Sequence, residues 1–127
     1  MIDKETEVFS AVAKKLRTKH KSIYIVGTEL TSTPPRFPAV SLVQSNSAVK
    51  TEHATFDSLE NVVREDYKAE VFSNLESGKE AQTKAITADL SDALCELGYE
   101  RTFCEQVANG DATISRRVSR YTKNNVI

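Results

Sequence analysis

Apolar residues recur three and four positions apart over residues 79–98. They fall on one side of a helix and are Ile86, Leu90, Ala93, Leu94 and Leu97. Charged residues such as Lys84, Asp89 and Asp92 fall on the other sides and are expected to face solvent. Gly98 follows the last apolar residue, where glycine readily forms a left-handed cap. The sequence therefore predicts an amphipathic helix with one side to bury.

A similar spacing near the start of the chain predicts a first helix over residues 3–19. Its apolar positions are Phe9, Val12, Ala13 and Leu16. Asp3 is expected to cap the free amides at the helix start. Acidic residues lie near this end and basic residues near the other, as the helix dipole favours.

Five stretches rich in β-branched and aromatic residues predict strands. They are residues 22–28, 39–44, 62–73, 99–107 and 113–121. Along 62–73, Tyr67, Ala69 and Val71 are expected on one face and Lys68, Glu70 and Phe72 on the other, and the side chains of 99–107 are expected to alternate likewise. All three prolines lie within residues 31–38, which predicts a surface loop. The polar stretch 45–61 has no sustained period and is expected to be a second irregular segment.

The element order predicts a single domain spanning residues 1–127 of the α+β class. We expect a mainly antiparallel sheet of four to five strands with both helices packed on one face. The last two strands should form an antiparallel hairpin. Beyond Tyr121 there is little apolar content, so the tail is not expected to be held firmly.

Composition is typical of a soluble globular protein, with 39% hydrophobic and 28% charged residues among 127. No apolar run approaches the roughly 20 residues that span a bilayer, so no membrane partner is expected. The first ten residues lack the pattern of a signal peptide, which indicates an unexported protein. Cys95 and Cys104 are therefore expected to be free thiols.

No motif in the chain indicates an enzyme. His20 and His53 are far apart, and the two cysteines lack the paired spacing of a zinc site. No glycine-rich phosphate loop is present among the four glycines. We therefore expect no catalytic residues, metal or cofactor.

Charge is unevenly distributed although the formal net charge is only −1. Basic residues cluster at the end of the first helix and in the last strand, while acids such as Glu65 and Glu70 dominate the middle. Unlike surfaces allow copies of a chain to associate head to tail, although such runs also occur as solvated faces. In the last strand, Arg116 and Arg120 share one face and Arg117 the other. For these arginines subunit pairing ranks first, a solvated edge second and nucleic acid third.

Several short motifs in the second half of the chain resemble the tail terminator family of tailed bacteriophages, whose members complete the tail and join it to the head. The matching residues are Val71-Phe72-Ser73-Asn74, Gly78-Lys79, Leu97-Gly98-Tyr99, Ala112-Thr113-Ile114 and Arg120-Tyr121. The earlier run 36–40 is similar to the family's proline-led second strand. Beyond Tyr121 the chain departs from the family, whose last strand continues through apolar residues.

The resemblance implies a non-enzymatic virion protein at the junction of tail and neck, assembled in the host cytoplasm. It would form a ring, commonly a hexamer, that caps the tail tube, ends its polymerisation and docks onto a neck or head-completion protein. DNA would pass through the lumen without sequence-specific binding. The expected ring-interface residues are Arg116, Arg117, Arg120, Phe72 and Glu70. The expected loop residues reaching between rings are Pro34, Pro35, Arg36, Asn46, Lys50, Glu52 and His53.

Three other functions stay open at this point. A head-closure or neck protein of the same assembly would also form a ring but would contact the portal side. A small cytoplasmic α+β ligand-binding or regulatory domain belongs to a different class. A weak nucleic-acid binder would use the arginines of the last strand and show salt-sensitive affinity.

Overall fold

The computed structural model describes residues 5–30, 33–49, 62–108, 110 and 112–126. In these residues two helices and five strands follow one another along the chain. They are α1 (Glu5–Lys19), β1 (Tyr24–Val26), β2 (Ala39–Val49), β3 (Val62–Ser73), α2 (Lys79–Glu96), β4 (Glu100–Val107) and β5 (Ser115–Val126). The predicted α+β class is confirmed.

The strands form one sheet in the order β1-β2-β3-β5-β4. β1 runs parallel to β2, whereas the β2-β3, β3-β5 and β5-β4 pairs are antiparallel. The sheet is therefore mixed, and the expectation of a mainly antiparallel sheet holds for the strands from β2 onward. The predicted hairpin of the last two strands is confirmed.

Side chains from both helices and from the sheet form one hydrophobic core. Val12 and Leu16 of α1 and Leu90 of α2 are fully buried in it, together with Tyr67 and Val71 of β3. Fully burying side chains of this size contributes about 1.5–3 kcal/mol each, which makes this core the main source of stability. The apolar stripes predicted for the two helices are the surfaces that enter the core.

Two left-handed glycines bracket α2, and the one at its C-terminus, Gly98, is the predicted cap. Gly78 has φ 86° immediately before the helix, and Gly98 has φ 92° after it. At the C-terminus the Tyr99 amide donates to the carbonyl of Leu94 and the Gly98 amide to that of Cys95, both at 3.0 Å. This paired arrangement satisfies the last helical carbonyls and directs the chain into β4.

The strand limits differ from the predicted ones in two important places. β2 continues to Val49, so residues 45–49 are not an irregular segment. β5 continues to Val126, so the tail beyond Tyr121 is held by the sheet. In both places polar residues stay extended because β3 supplies hydrogen-bonding partners along its whole length. The predicted Asp3 cap and residues 50–61 lie outside the described residues.

Candidate interaction surface

Alternate residues of β3 point to opposite faces of the sheet and define two surfaces. Tyr67, Ala69 and Val71 enter the core, and we call their side the helix face. Lys68 and Glu70 point to the other side, which we call the outer face. The predicted separation of these two residue sets is therefore confirmed.

A chain of ion pairs crosses the outer face. Nζ of Lys68 lies 3.1 Å from a carboxylate oxygen of Glu29 and 3.1 Å from one of Glu70. Arg116 pairs with the other oxygen of Glu70 at 2.6 Å, and its guanidinium carbon lies 6.0 Å from the centre of the Phe72 ring. The hydrogen bond to Glu70 raises the pKa of Lys68, and this effect outweighs burial, which lowers the pKa. Of the predicted interface residues, Arg116 thus contacts both Glu70 and Phe72 within one chain.

Nearer the C-terminal end of β5, a second polar group surrounds Asp66. Arg64 donates to one of its oxygens at 3.1 Å and Asn46 to the other at 3.3 Å. Burial of Asp66 raises its pKa, but hydrogen bonds from Thr122, Arg64 and Asn46 prevail and lower it. A cavity of about 130 Å³ opens here. Its lining residues are Ser45, Arg64, Asp66, Tyr67, Thr102, Arg120, Tyr121 and Thr122.

The other two arginines of β5 lie on opposite faces, as predicted. Arg120 is exposed on the outer face, and its side chain pairs with no acid among the described residues. Arg117 is half-buried on the helix face, where Nη1 lies 3.9 Å from Sγ of Cys104. Within the described part of the chain its buried Nε has no hydrogen-bond partner. Among the described residues, therefore, Arg117 and Arg120 have no acidic partner, whereas Arg116 is paired with Glu70.

The outermost strand, β4, is the most exposed element of the sheet, with none of its eight residues fully buried. Its register against β5 shifts between Arg101 and Phe103, so that Arg101 pairs with Tyr121 and Phe103 with Arg120. The alternation predicted for this strand is interrupted there, because a bulge adds a residue and reverses the facing of the residues after it. Phe103 consequently lies on the outer face with 39% of its surface exposed.

Of the residues predicted to reach between rings, Pro34, Pro35, Arg36 and Asn46 lie among the described residues. Pro34 is buried, whereas Pro35 and Arg36 are exposed. The guanidinium carbon of Arg36 lies 5.8 Å from the ring centre of Tyr24 in β1. Asn46 lies in β2 rather than in a loop. The remaining predicted positions, Lys50, Glu52 and His53, lie outside the described residues.

A polar cluster joins the C-terminal end of α1 to α2. Nε2 of His20 lies 2.7 Å from one Asp89 oxygen, and Nζ of Lys19 lies 3.4 Å from the other. Burial of Asp89 opposes ionisation, but the hydrogen bonds from His20 and Lys19 outweigh it and lower its pKa. Asp89 was expected on the solvent-exposed side of α2, and instead it links the two helices.

Beside this cluster lies an open groove of about 470 Å³. Its lining residues are Lys15, Lys19, Asp92, Cys95 and Glu96. Lys15 and Glu96 pair across it. Ligand sites are mostly apolar and enclosed, whereas this groove is open and charged, so it lacks the features of a small-molecule site.

Neither a metal cluster nor a membrane-spanning helix occurs in the described part of the chain. Among the described residues no group of three or more His, Cys, Asp or Glu side chains could hold a metal ion. No described helix is long and apolar enough to cross a bilayer. Both cysteines are free, as predicted.

The burial of Glu65 and the bulge beside Phe103 were not predicted from the sequence, although a signal for the first was present. Glu65 was counted among the acids of the middle segment, yet it is fully buried and accepts a hydrogen bond of 2.9 Å from the Tyr99 hydroxyl. Its odd number places it on the same face as Tyr67 and Val71, which was the signal. Phe103 was expected at one position of a regular strand, and no local residue pattern marks the bulge beside it.

Comparison of the chain with protein-family models and with curated proteins finds no match.

Proposed function

We propose that the chain is a tail terminator of a tailed bacteriophage, a structural ring protein that caps the tail tube and joins it to the neck. The observation that carries the proposal is where the family-like motifs lie in the fold. Residues 71–74 span the end of β3, Gly78-Lys79 begins α2, and Leu97-Gly98-Tyr99 closes it with the left-handed cap. Residues 112–114 lead into β5. The resemblance therefore involves the residues that shape the domain.

The distribution of exposed groups supports assembly rather than catalysis. We infer that both helices lie on one face of the sheet, which leaves the outer face and the two edge strands free of helices. On this surface Lys68 pairs with Glu29 and Glu70, and Arg116 pairs with Glu70, while Arg120 and Phe103 remain exposed. An exposed arginine beside an exposed aromatic ring is typical of the anchoring residues of protein interfaces.

In the proposed assembly, six copies close into a ring at the junction of tail and neck, around a lumen through which DNA passes. Arg117 and Arg120 would lie near the subunit boundary, with Arg116, Glu70 and Phe72 supporting them from within one subunit. Pro35 in the proline loop and the segment that follows β2 would reach towards the adjacent rings, whereas Arg36 would lie at the boundary between copies within a ring. The tail tube protein and a neck protein are the expected partners.

Electron microscopy of particles assembled without this chain tests the proposal. Tails of uncontrolled length that fail to join heads are expected, because an uncapped tube continues to polymerise. Tails of normal length on leaking heads would instead support the head-closure alternative. Unchanged particles would contradict both and favour a cellular ligand-binding domain. A salt-sensitive shift of DNA mobility by the purified chain would support the nucleic-acid alternative.

A further inference from the structure

The two edges of the sheet are open and unlike each other. Within the described residues no strand lies beyond β1 on one side or β4 on the other. β4 contains neither proline nor glycine, and residues 103–107 continue past the bulge in regular pairing with β5. An edge strand with free backbone groups readily accepts another strand. Each edge is therefore able to receive a neighbouring chain.

Exposed groups of opposite charge lie at these two edges. On β4, Glu100 and Glu105 flank Phe103, and all three share the outer face by their register against Thr122, Val118 and Arg120. At the opposite edge Tyr24 pairs with Ala39, which pairs with Phe72, so Tyr24 also lies on the outer face. Arg36 lies over the Tyr24 ring. The β4 edge thus presents an aromatic ring with two acids, and the β1 edge presents an aromatic ring with an arginine.

These charges have no partner inside the described part of the chain. Glu100, Glu105 and Arg36 are exposed and form no ion pair there, in contrast to the matched Lys68, Glu70 and Arg116 at the middle of the same face. Arg120 lies one strand further in, about 4.8 Å from the β4 edge. The exposed side chains of the two edges therefore determine which surface can pack against each edge.

We propose that β4 of one copy of this chain packs beside β1 of the next, with Phe103 and Glu105 meeting Tyr24 and Arg36. Because a closed ring is itself proposed above, this contact rests on the proposed function. It deepens that function by naming the surfaces that join. The contact is heterologous, which is the kind that forms rings.

The topology also sets the relative direction of the two strands. β1 and β5 run the same way, and β4 runs opposite to both. A ring axis roughly parallel to the strands preserves their direction from copy to copy, so β4 and the neighbouring β1 are antiparallel. The outer faces of successive copies then form one continuous surface.

Disulfide cross-linking of the full-length chain tests this contact. In a background carrying Cys95→Ser and Cys104→Ser, we introduce Glu105→Cys and Arg36→Cys together or separately. Under oxidation at high protein concentration the double variant should give a ladder of oligomers. A mixture of the two single variants should give dimers only, and each single variant alone should give monomers. A matched control combines Glu105→Cys with Lys84→Cys on the exposed side of α2 and should give no ladder.

Dimers from Glu105→Cys alone would overturn the proposal, because they report a symmetric β4-to-β4 contact. Absence of a ladder from the double variant would overturn it as well. The ring itself is judged separately, by sedimentation of the wild-type chain and by tail length in particles lacking it. As a second measurement, Glu105→Lys and Arg36→Glu should each weaken self-association roughly fivefold, and the two together should restore it.

Discussion

Both Nε and Nη2 of Arg116 lie 2.6 Å from Oε2 of Glu70 on the outer face of the sheet. The Glu70 side chain is only 10% exposed, and its other oxygen pairs with Lys68. The charge of Glu70 is therefore balanced before any other chain arrives. These residues were expected at a subunit boundary. Their mutual pairing links β3 to β5 within one chain.

Removing either partner of this pair should destabilise the fold. Glu70→Ala and Arg116→Ala are each expected to lower the free energy of unfolding by about 1–2 kcal/mol, because each leaves a shielded charge less well paired. The double variant should show a coupling of about 1 kcal/mol in urea unfolding. Arg120→Ala is the matched control and should change stability by less than about 0.5 kcal/mol. Fully additive single effects would contradict the pairing.

Acid should weaken the link between the two helices through Asp89. Its pKa is lowered from 3.8 on folding, since the hydrogen bonds from His20 and Lys19 outweigh burial. A carboxyl with a lowered pKa stabilises the folded state above its ordinary pKa, and this contribution is lost as the pH falls through the folded-state value. Asp89→Asn should therefore cost about 0.5–1 kcal/mol at pH 7, and this cost should shrink as the pH falls below 3.8.

The measurement for Asp89 is urea unfolding of wild type and variant at a series of pH values. Asp92→Asn serves as control, because Asp92 is exposed and forms no ion pair among the described residues. Its effect should stay small at every pH. A difference for Asp89→Asn that persists unchanged at low pH would show that the carboxylate charge is not the cause.

Substitution of the glycine that ends α2 should be costly. Gly98 has φ 92°, and a Cβ placed there would lie 3.2 Å from Cε of Lys123. Gly98→Ala is expected to lower stability by about 1–2 kcal/mol, the cost of a left-handed conformation for an L-residue. Gly110→Ala is the matched control, since a Cβ there meets nothing within 4 Å. Equal thermal unfolding midpoints for the two variants would contradict this expectation.

Shortening the connection between β2 and β3 should impair assembly of the particle and leave folding of the domain unchanged. Val49 and Val63 are paired in register, so residues 51–60 can be replaced by a short Gly-Ser linker without altering the described strands. Circular dichroism should report a folded domain. Particles carrying this variant should have tails that fail to join heads, as seen by electron microscopy. Normal joining would exclude this segment from the contacts between rings.

The helices were predictable from local pattern because each has a buried apolar stripe and a charged remainder. Residues 79–98 show this best, since Leu90 and Leu94 enter the core and Gly98 caps the end. The long strand Val62–Ser73 was predicted to the residue, because its apolar positions alternate and Asn74 follows its final serine. Local steric and hydrophobic preferences were sufficient there.

The extents of β2 and β5 could not be predicted in the same way. Thr122, Lys123 and Asn124 have little apolar content, yet they remain extended because β3 provides paired backbone groups opposite them. Pairing across the sheet overrides weak local preference. The charged site on the outer face depends on the same registers, since Glu70 and Arg116 are 46 positions apart in the chain.

The amino-acid sequence by itself determined the class of fold, the two amphipathic helices, the ends of α2 and which residues alternate along β3. These features arise from interactions between residues a few positions apart. Only the tertiary structure decided that Glu70 meets Arg116, that Asp89 links the helices and that Phe103 emerges at an open edge beside Glu105. Those relationships depend on strand order, register and one bulge, which are set by contacts between segments distant in the chain.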